Sequence, residues 1–324
     1  MRAQREETAV TQPHIYRIIE NVEKVVVGKR KEIELSFIAL LSGGHVLLED
    51  VPGVGKTMMV RAIAKSLGAE FKRIQFTPDL LPSDVTGVSV FNQKTLDFQF
   101  RRGPIMANIV LADEINRTSP KTQAALLEAL EEGSVTTDGE TRELQDPFFV
   151  MATQNPIEYG GTYPLPEAQL DRFLFKFKIG YPSREEELEV LNRVEKQHPI
   201  EKLEAVLSLD DLTDMQKQVL NVYVDETVKR YIIDLTTATR RHHAVYLGAS
   251  PRASIALMKA GQAYAFMQGR DFVLPDDIKY LAPYALQHRI ILNSDAKLSD
   301  ISNERVIREV VDQVKIPVGR ESGR

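Results

Sequence analysis

Val46-Leu47-Leu48-Glu49-Asp50-Val51-Pro52-Gly53-Val54-Gly55-Lys56-Thr57 reads as a buried strand, a phosphate-cradling turn and the start of a helix. Val46 to Leu48 suit a strand covered on both faces. Gly53 and Gly55 let the backbone bend so that successive N–H groups converge on one anion. Pro52 and Gly53 shape that turn, and Val54 lies within it as a further nucleotide-binding candidate. Lys56 supplies a point charge for the outer phosphates, and the Thr57 hydroxyl is placed to ligate Mg²⁺. From Thr57 and Met58 onward the spacing predicts a helix to Leu67, with Val60, Ile63, Ala64 and Leu67 on one stripe. Its N-terminal dipole faces the phosphates, and Gly68 ends it. A Gly-x-Gly-Lys-[Ser/Thr] string arises by chance in roughly one chain in 100 of this length. The full pattern has Gly where this chain has Asp50, whose carboxylate is expected to point outward at the strand end.

Strands alternate with helices on both sides of this segment. Helix starts are read after Pro13 and at Lys31, strands at Phe71–Phe76, Ile105–Ala112 and Phe148–Ala152, and a helix at Thr118–Glu132 between Pro120 and Gly133. This alternation predicts an α/β fold with a mainly parallel, doubly wound sheet. Two hairpins interrupt it. In 87–103, Leu96, Phe98 and Phe100 alternate with Asp97 and Gln99 on the return arm. In 134–144, Asp138-Gly139 makes a type I′ turn. After Tyr181-Pro182-Ser183 the pattern turns almost wholly helical. The expected organisation is a polar tail over 1–12, a nucleotide-binding domain over 13–182, a small all-α lid over 183–318 and a tail over 319–324.

Bulk properties narrow the classes. The 324 residues suffice for one large core and a smaller one. A formal charge of −5 argues against a general nucleic-acid binder. With no cysteine, disulfides and thiolate metal sites are out. No apolar run approaches a membrane span, and the charged start carries no secretory pattern. A soluble, cytoplasmic protein is expected.

Ile109 to Ala112 form an apolar stretch that ends in Asp113 and Glu114. Strand C-termini in open α/β sheets converge on the ligand crevice. There Asp113 would hold the Mg²⁺ hydration shell, and Glu114 would orient and deprotonate the attacking water. Asn155, at the end of the next buried strand, is placed to sense the γ-phosphate. Arg172 and Arg252 complete the set, since phosphoryl transfer depends on positioning and charge neutralisation. Ser250 is the expected N-cap and Pro251 the first residue of the Arg252 helix.

The chain resembles the MoxR family of AAA+ ATPases from about residue 12 to 318. The resemblance is carried by Val110–Arg117 (VLADEINR), Gln123–Gly133 (QAALLEALEEG), Ala152–Pro156 (ATQNP), Leu165–Phe173 (LPEAQLDRF) and Gly248–Arg252 (GASPR). It implies an AAA+ P-loop domain with a helical lid, ATP and Mg²⁺ as cofactors, and hydrolysis at subunit interfaces of a homo-oligomeric, usually hexameric, ring. It implies that Arg172 is a finger reaching a neighbour's ATP, and that Arg252 touches the γ-phosphate of its own subunit. Val26, Val27 and Gly28 match the segment lining the adenine pocket, with Lys29 where Gln is common. The hairpins resemble insertions that point toward pore and client in related branches. The implied work is chaperone-like remodelling of a protein client, such as a von Willebrand A-type partner or a target of metal insertion. An ATP-gated binding switch with little hydrolysis is the alternative. No nucleic-acid partner is expected.

Overall fold

The computed structural model describes residues 15–155, 162–195 and 197–317; the expected polar tails lie outside these. Helical residues 15–23 (α1) and α2 (Arg30–Leu41) lead into β1 (Val46–Glu49), α3 (Lys56–Ser66) and β2 (Phe71–Gln75). Then come α4 (Pro82–Thr86), a hairpin of β3 (Gly87–Asn92) and β4 (Asp97–Arg102), and β5 (Ile109–Asp113). Next are α5 (Pro120–Glu132), a second hairpin of β6 (Ser134–Thr137) and β7 (Glu140–Glu143), β8 (Phe149–Gln154), α6 (Glu167–Leu170) and β9 (Phe175–Phe177). The rest is α7 (Arg184–Val194), α8 (Leu209–Val219), α9 (Glu226–Arg241), β10 (Val245–Leu247), α10 (Pro251–Met267), α11 (Pro275–Leu286), β11 (Ile291–Leu292), α12 (Ser294–Leu298) and α13 (Asn303–Gln313).

Five strands form one parallel sheet in the order β2-β5-β8-β1-β9. The central strands are apolar on both faces because both are covered. Ile109 and Leu111 of β5 and Phe149 and Met151 of β8 face the side of α2 and α3. Val110, Ala112, Val150 and Ala152 face the side of α4 and α5. This two-residue alternation assigns every second side chain to a different core. The local stops follow sequence chemistry. The Ser119 side chain accepts the Thr122 N–H, Pro120 opens α5, and Gly133 closes it at φ 61°.

Three expectations change. Ile105 lies in a 3₁₀ turn, Pro104–Met106, and the strand begins at Ile109. An apolar run fixes burial and leaves the backbone type open. Leu96 is not on the return arm; it sits in the turn at φ 52°, exposed. In the helical part, β10 and β11 add a short antiparallel pair.

The cores also divide along a different line. The smaller cluster fills one side of the sheet, under α4 and α5. The larger one covers the other side and continues unbroken into α8 through α13. It is therefore the sheet that separates the two cores.

Candidate functional site

The phosphate turn leaves the C-terminal end of β1, with Gly53 at φ 88° and Gly55 at φ 90°. A side chain at either residue would meet open space, so the requirement for glycine is conformational. Lys56 is buried, and its Nζ donates to the Asp50 carbonyl at 3.1 Å. Thr57 and Met58 are half-buried in the first turn of α3, Val54 is buried, and Pro52 and Gly53 are exposed.

Asp50 does not point outward. It is buried, and its carboxylate accepts the N–H groups of Val51 at 2.9 Å, Ile179 at 2.6 Å and Gly180 at 2.7 Å. Three backbone donors outcompete solvent for a carboxylate at this position. The residue that departs from the glycine pattern thus ties the phosphate turn to the segment running into the lid.

β8 lies between β1 and β5, so its end faces both the phosphate turn and the acids. Thr153 joins them. Its Oγ1 donates to Asp113 Oδ1 at 2.6 Å and accepts the Glu114 N–H at 2.8 Å. Asp113 Oδ2 also takes Arg73, at 2.6 Å from Nη2. Glu114 adopts φ 59°, and its Oε2 accepts Gln75 Nε2 at 2.7 Å and Arg117 Nη1 at 2.9 Å. Asn155 is half-buried at the end of β8, and its carbonyl accepts Asn116 Nδ2 at 3.2 Å. Mg²⁺ is usually held by one or two carboxylates together with substrate phosphates. Asp113, at the end of β5, and Thr57, in the first turn of α3, carry the oxygen donors such an ion takes.

Val26 is buried, and Val27 and Gly28 lie on the adjoining turn, with Gly28 at φ 70°. A Cβ on Gly28 would overlap Glu186 at the start of α7, and Lys29 Nζ reaches the Tyr181 carbonyl at 3.1 Å. This segment therefore abuts the same linker that Asp50 holds.

The two arginines are elsewhere. Arg172 Nη2 meets Glu131 Oε2 at 2.9 Å, and Arg252 Nη2 meets Glu131 Oε1 at 2.5 Å. All three line an open cleft of about 270 Å³ with Gly43, Gly44 and Lys259. Gly43 and Gly44 precede β1, whereas the phosphate turn follows it, so roughly 13 Å of strand separates the two places. Arg252, expected on the γ-phosphate of its own chain, lies instead at the far end of the sheet, beside Arg172. The Ser250 hydroxyl, expected to cap α10, makes no cap bond and donates to Asp171 Oδ2 at 3.0 Å. Arg289 lies under this junction. It reaches Asp171 Oδ1 at 2.5 Å and the carbonyls of Phe173 and Leu174 at 2.7 and 3.0 Å. Burial pulls the Arg289 pKa down, and Asp171 opposes that shift.

Sequence reasoning missed Thr153, Gln75, Arg73 and Glu131. Thr153 and Glu131 stood inside the quoted motifs. Gln75 and Arg73 gave no local signal, because each meets its acid only across the β2–β5 pairing.

Comparisons with known proteins identify the family. Residues 45–175 match the ATPase family associated with various cellular activities (AAA), and residues 237–310 match the AAA lid domain. Chaperone MoxR1 of Mycobacterium tuberculosis is 44% identical over 310 residues, covering 93% of this chain and 82% of that protein. The chain belongs to the MoxR family of AAA+ ATPases. Another relative, the uncharacterized protein YeaC of Bacillus subtilis, is 64% identical, with 96% and 98% of the two chains covered. A crystal structure from Cytophaga hutchinsonii of a protein assigned as an ATPase superposes with a TM-score of 0.92 at 41% identity, covering 98% and 99% of the chains. Among the described residues no helix is long and apolar enough to cross a membrane.

Proposed function

We propose that this MoxR-family chain hydrolyses ATP at the interfaces of a homo-oligomeric ring and uses the cycle to remodel a protein client in the cytoplasm. The observation that carries the reading is the division of the site. Lys56, Thr57, Asp113, Glu114 and Asn155 gather at the C-terminal strand ends, while Arg172 and Arg252 gather at the opposite end of β1. The charge that would neutralise the transferring phosphate is therefore far from the phosphate turn of its own chain. Head-to-tail contact brings such halves together, and it closes into a ring when the rotation permits; six subunits follow from the family resemblance. In this reading both arginines act on a neighbour.

Each group then has a task. The turn's N–H groups and Lys56 bind and orient the phosphates. Thr57 and Asp113 hold Mg²⁺, which when bound neutralises charge on the phosphate oxygens. Glu114 accepts the proton of the attacking water, and Asn155 lines that water up. Val26, Val27 and Gly28 receive the adenine. The name of the Mycobacterium relative and the exposed Phe91, Leu96 and Phe98 of the first hairpin support a chaperone-like role. A von Willebrand A-type partner or a metal-insertion target as client rests on the family resemblance.

Mixing two variants impaired in hydrolysis tests the ring. Arg172→Ala supplies an intact Glu114, and Glu114→Gln supplies an intact Arg172. Hydrolysis in mixed rings should rise above that of either variant alone; proven mixing without recovery refutes action in trans. Lys56→Ala should abolish nucleotide binding. The switch reading draws support from Gln75 and Arg117, which occupy the Glu114 carboxylate. Client processing that survives Glu114→Gln would establish that reading instead.

A further inference from the structure

We infer that Glu131 is the positioning residue that holds Arg172 and Arg252 as a two-pronged cation for the terminal phosphate of a neighbouring subunit's ATP. The inference rests on the ring reading above and names a residue that reading does not use. Two guanidinium groups side by side repel one another, and long arginine side chains are costly to immobilise. The Glu131 carboxylate answers both problems. One oxygen takes Arg172 at 2.9 Å and the other takes Arg252 at 2.5 Å.

The backbones behind these tips are fixed independently. Arg289 grips the main chain around Arg172, and the Ser250 hydroxyl ties the start of the Arg252 helix to Asp171. The roots of the arginines are thus set by the Asp171 junction and their ends by Glu131. The arrangement crosses from the sheet to the helical part, since Glu131 ends α5 whereas Arg252 begins α10. A carboxylate taking two arginines presents the same paired acceptor geometry as a phosphate. It therefore keeps the guanidinium groups at the spacing a terminal phosphate requires, in a cleft open to an incoming subunit and lined also by Lys259.

The test is Glu131→Gln in the full-length protein, which keeps size and removes charge. Its affinity for a fluorescent ATP analogue should stay within about twofold of wild type, because Glu131 is remote from the phosphate turn. kcat should fall roughly tenfold with KM little changed, the pattern of an interaction made only in the transition state. In an Arg172→Ala/Arg252→Ala background the same substitution should cause no further loss, since coupled residues are non-additive. Wild-type kcat for Glu131→Gln, where Arg172→Ala is impaired, would overturn the inference alone. A full tenfold loss in the double-alanine background would overturn it as well, showing a structural role. Normal turnover by Arg172→Ala would overturn the ring reading, and the inference with it.

Discussion

Glu114 holds a left-handed backbone at φ 59°, which costs a non-glycine residue about 1–3 kcal/mol. Thr153 keeps it there by accepting its N–H, while the same hydroxyl donates to Asp113. One buried hydroxyl thus sets the direction of both acids. Thr153→Val preserves shape and strands the Glu114 N–H, so unfolding free energy should drop by about 1–3 kcal/mol. Turnover should fall roughly tenfold, equivalent to about 1.4 kcal/mol in the barrier, with ATP binding retained. Urea unfolding and steady-state kinetics measure the two effects, and unchanged turnover would show that Thr153 does not aim the acids. At this scale the sequence was legible where a residue acts through its own neighbours, as in the 53–57 turn. It was silent where partners are distant. Asp50 finds two of its three donors at Ile179 and Gly180, a pairing no local pattern announces.

The elements were readable to the extent that burial dictates backbone form. β1, β5 and β8 are apolar because helices cover both faces, and α5 is punctuated by Ser119, Pro120 and Gly133. Ile105 misled because a 3₁₀ turn can be as apolar as a strand, and β10 and β11 are too short to show a period. Among the described residues the β3–β4 hairpin forms a two-stranded sheet of its own. It exposes Val88, Phe91, Leu96 and Phe98, with the Phe91 and Phe98 rings edge-on at 5.4 Å. Clustered exposed apolar groups of this kind mark contact surfaces. Replacing both phenylalanines by serine should change unfolding free energy by less than about 1.5 kcal/mol, the extra value of an aromatic pair. Basal ATP turnover should hold. Suppression of aggregation of a denatured reporter protein should weaken; full suppression would remove the hairpin from client contact.

Across the whole molecule, acid sensitivity is built into the interior. His45 accepts the Val150 N–H at Nδ1 and meets the Leu130 carbonyl through Nε2. Burial pushes its pKa from 6.5 down to about 4. The unfolded chain takes up this proton near pH 6.5 and the folded chain only near pH 4, so stability falls as pH drops through that window. Below it the group adds nothing more. The gap corresponds to about 3 kcal/mol, and burial lowers His288 in the same sense. Urea midpoints should decline from pH 6.5 to 4, and more gently in His45→Gln; equal slopes would assign the loss to other groups. The larger apolar cluster, finally, makes the lid no detachable flap. α2 rests against α8 and α10, and β9 against α11. Amputating everything beyond Pro182 would lay bare the oily flank around Phe37, Ile38 and Leu40, and the stump should clump rather than survive as a miniature ATPase.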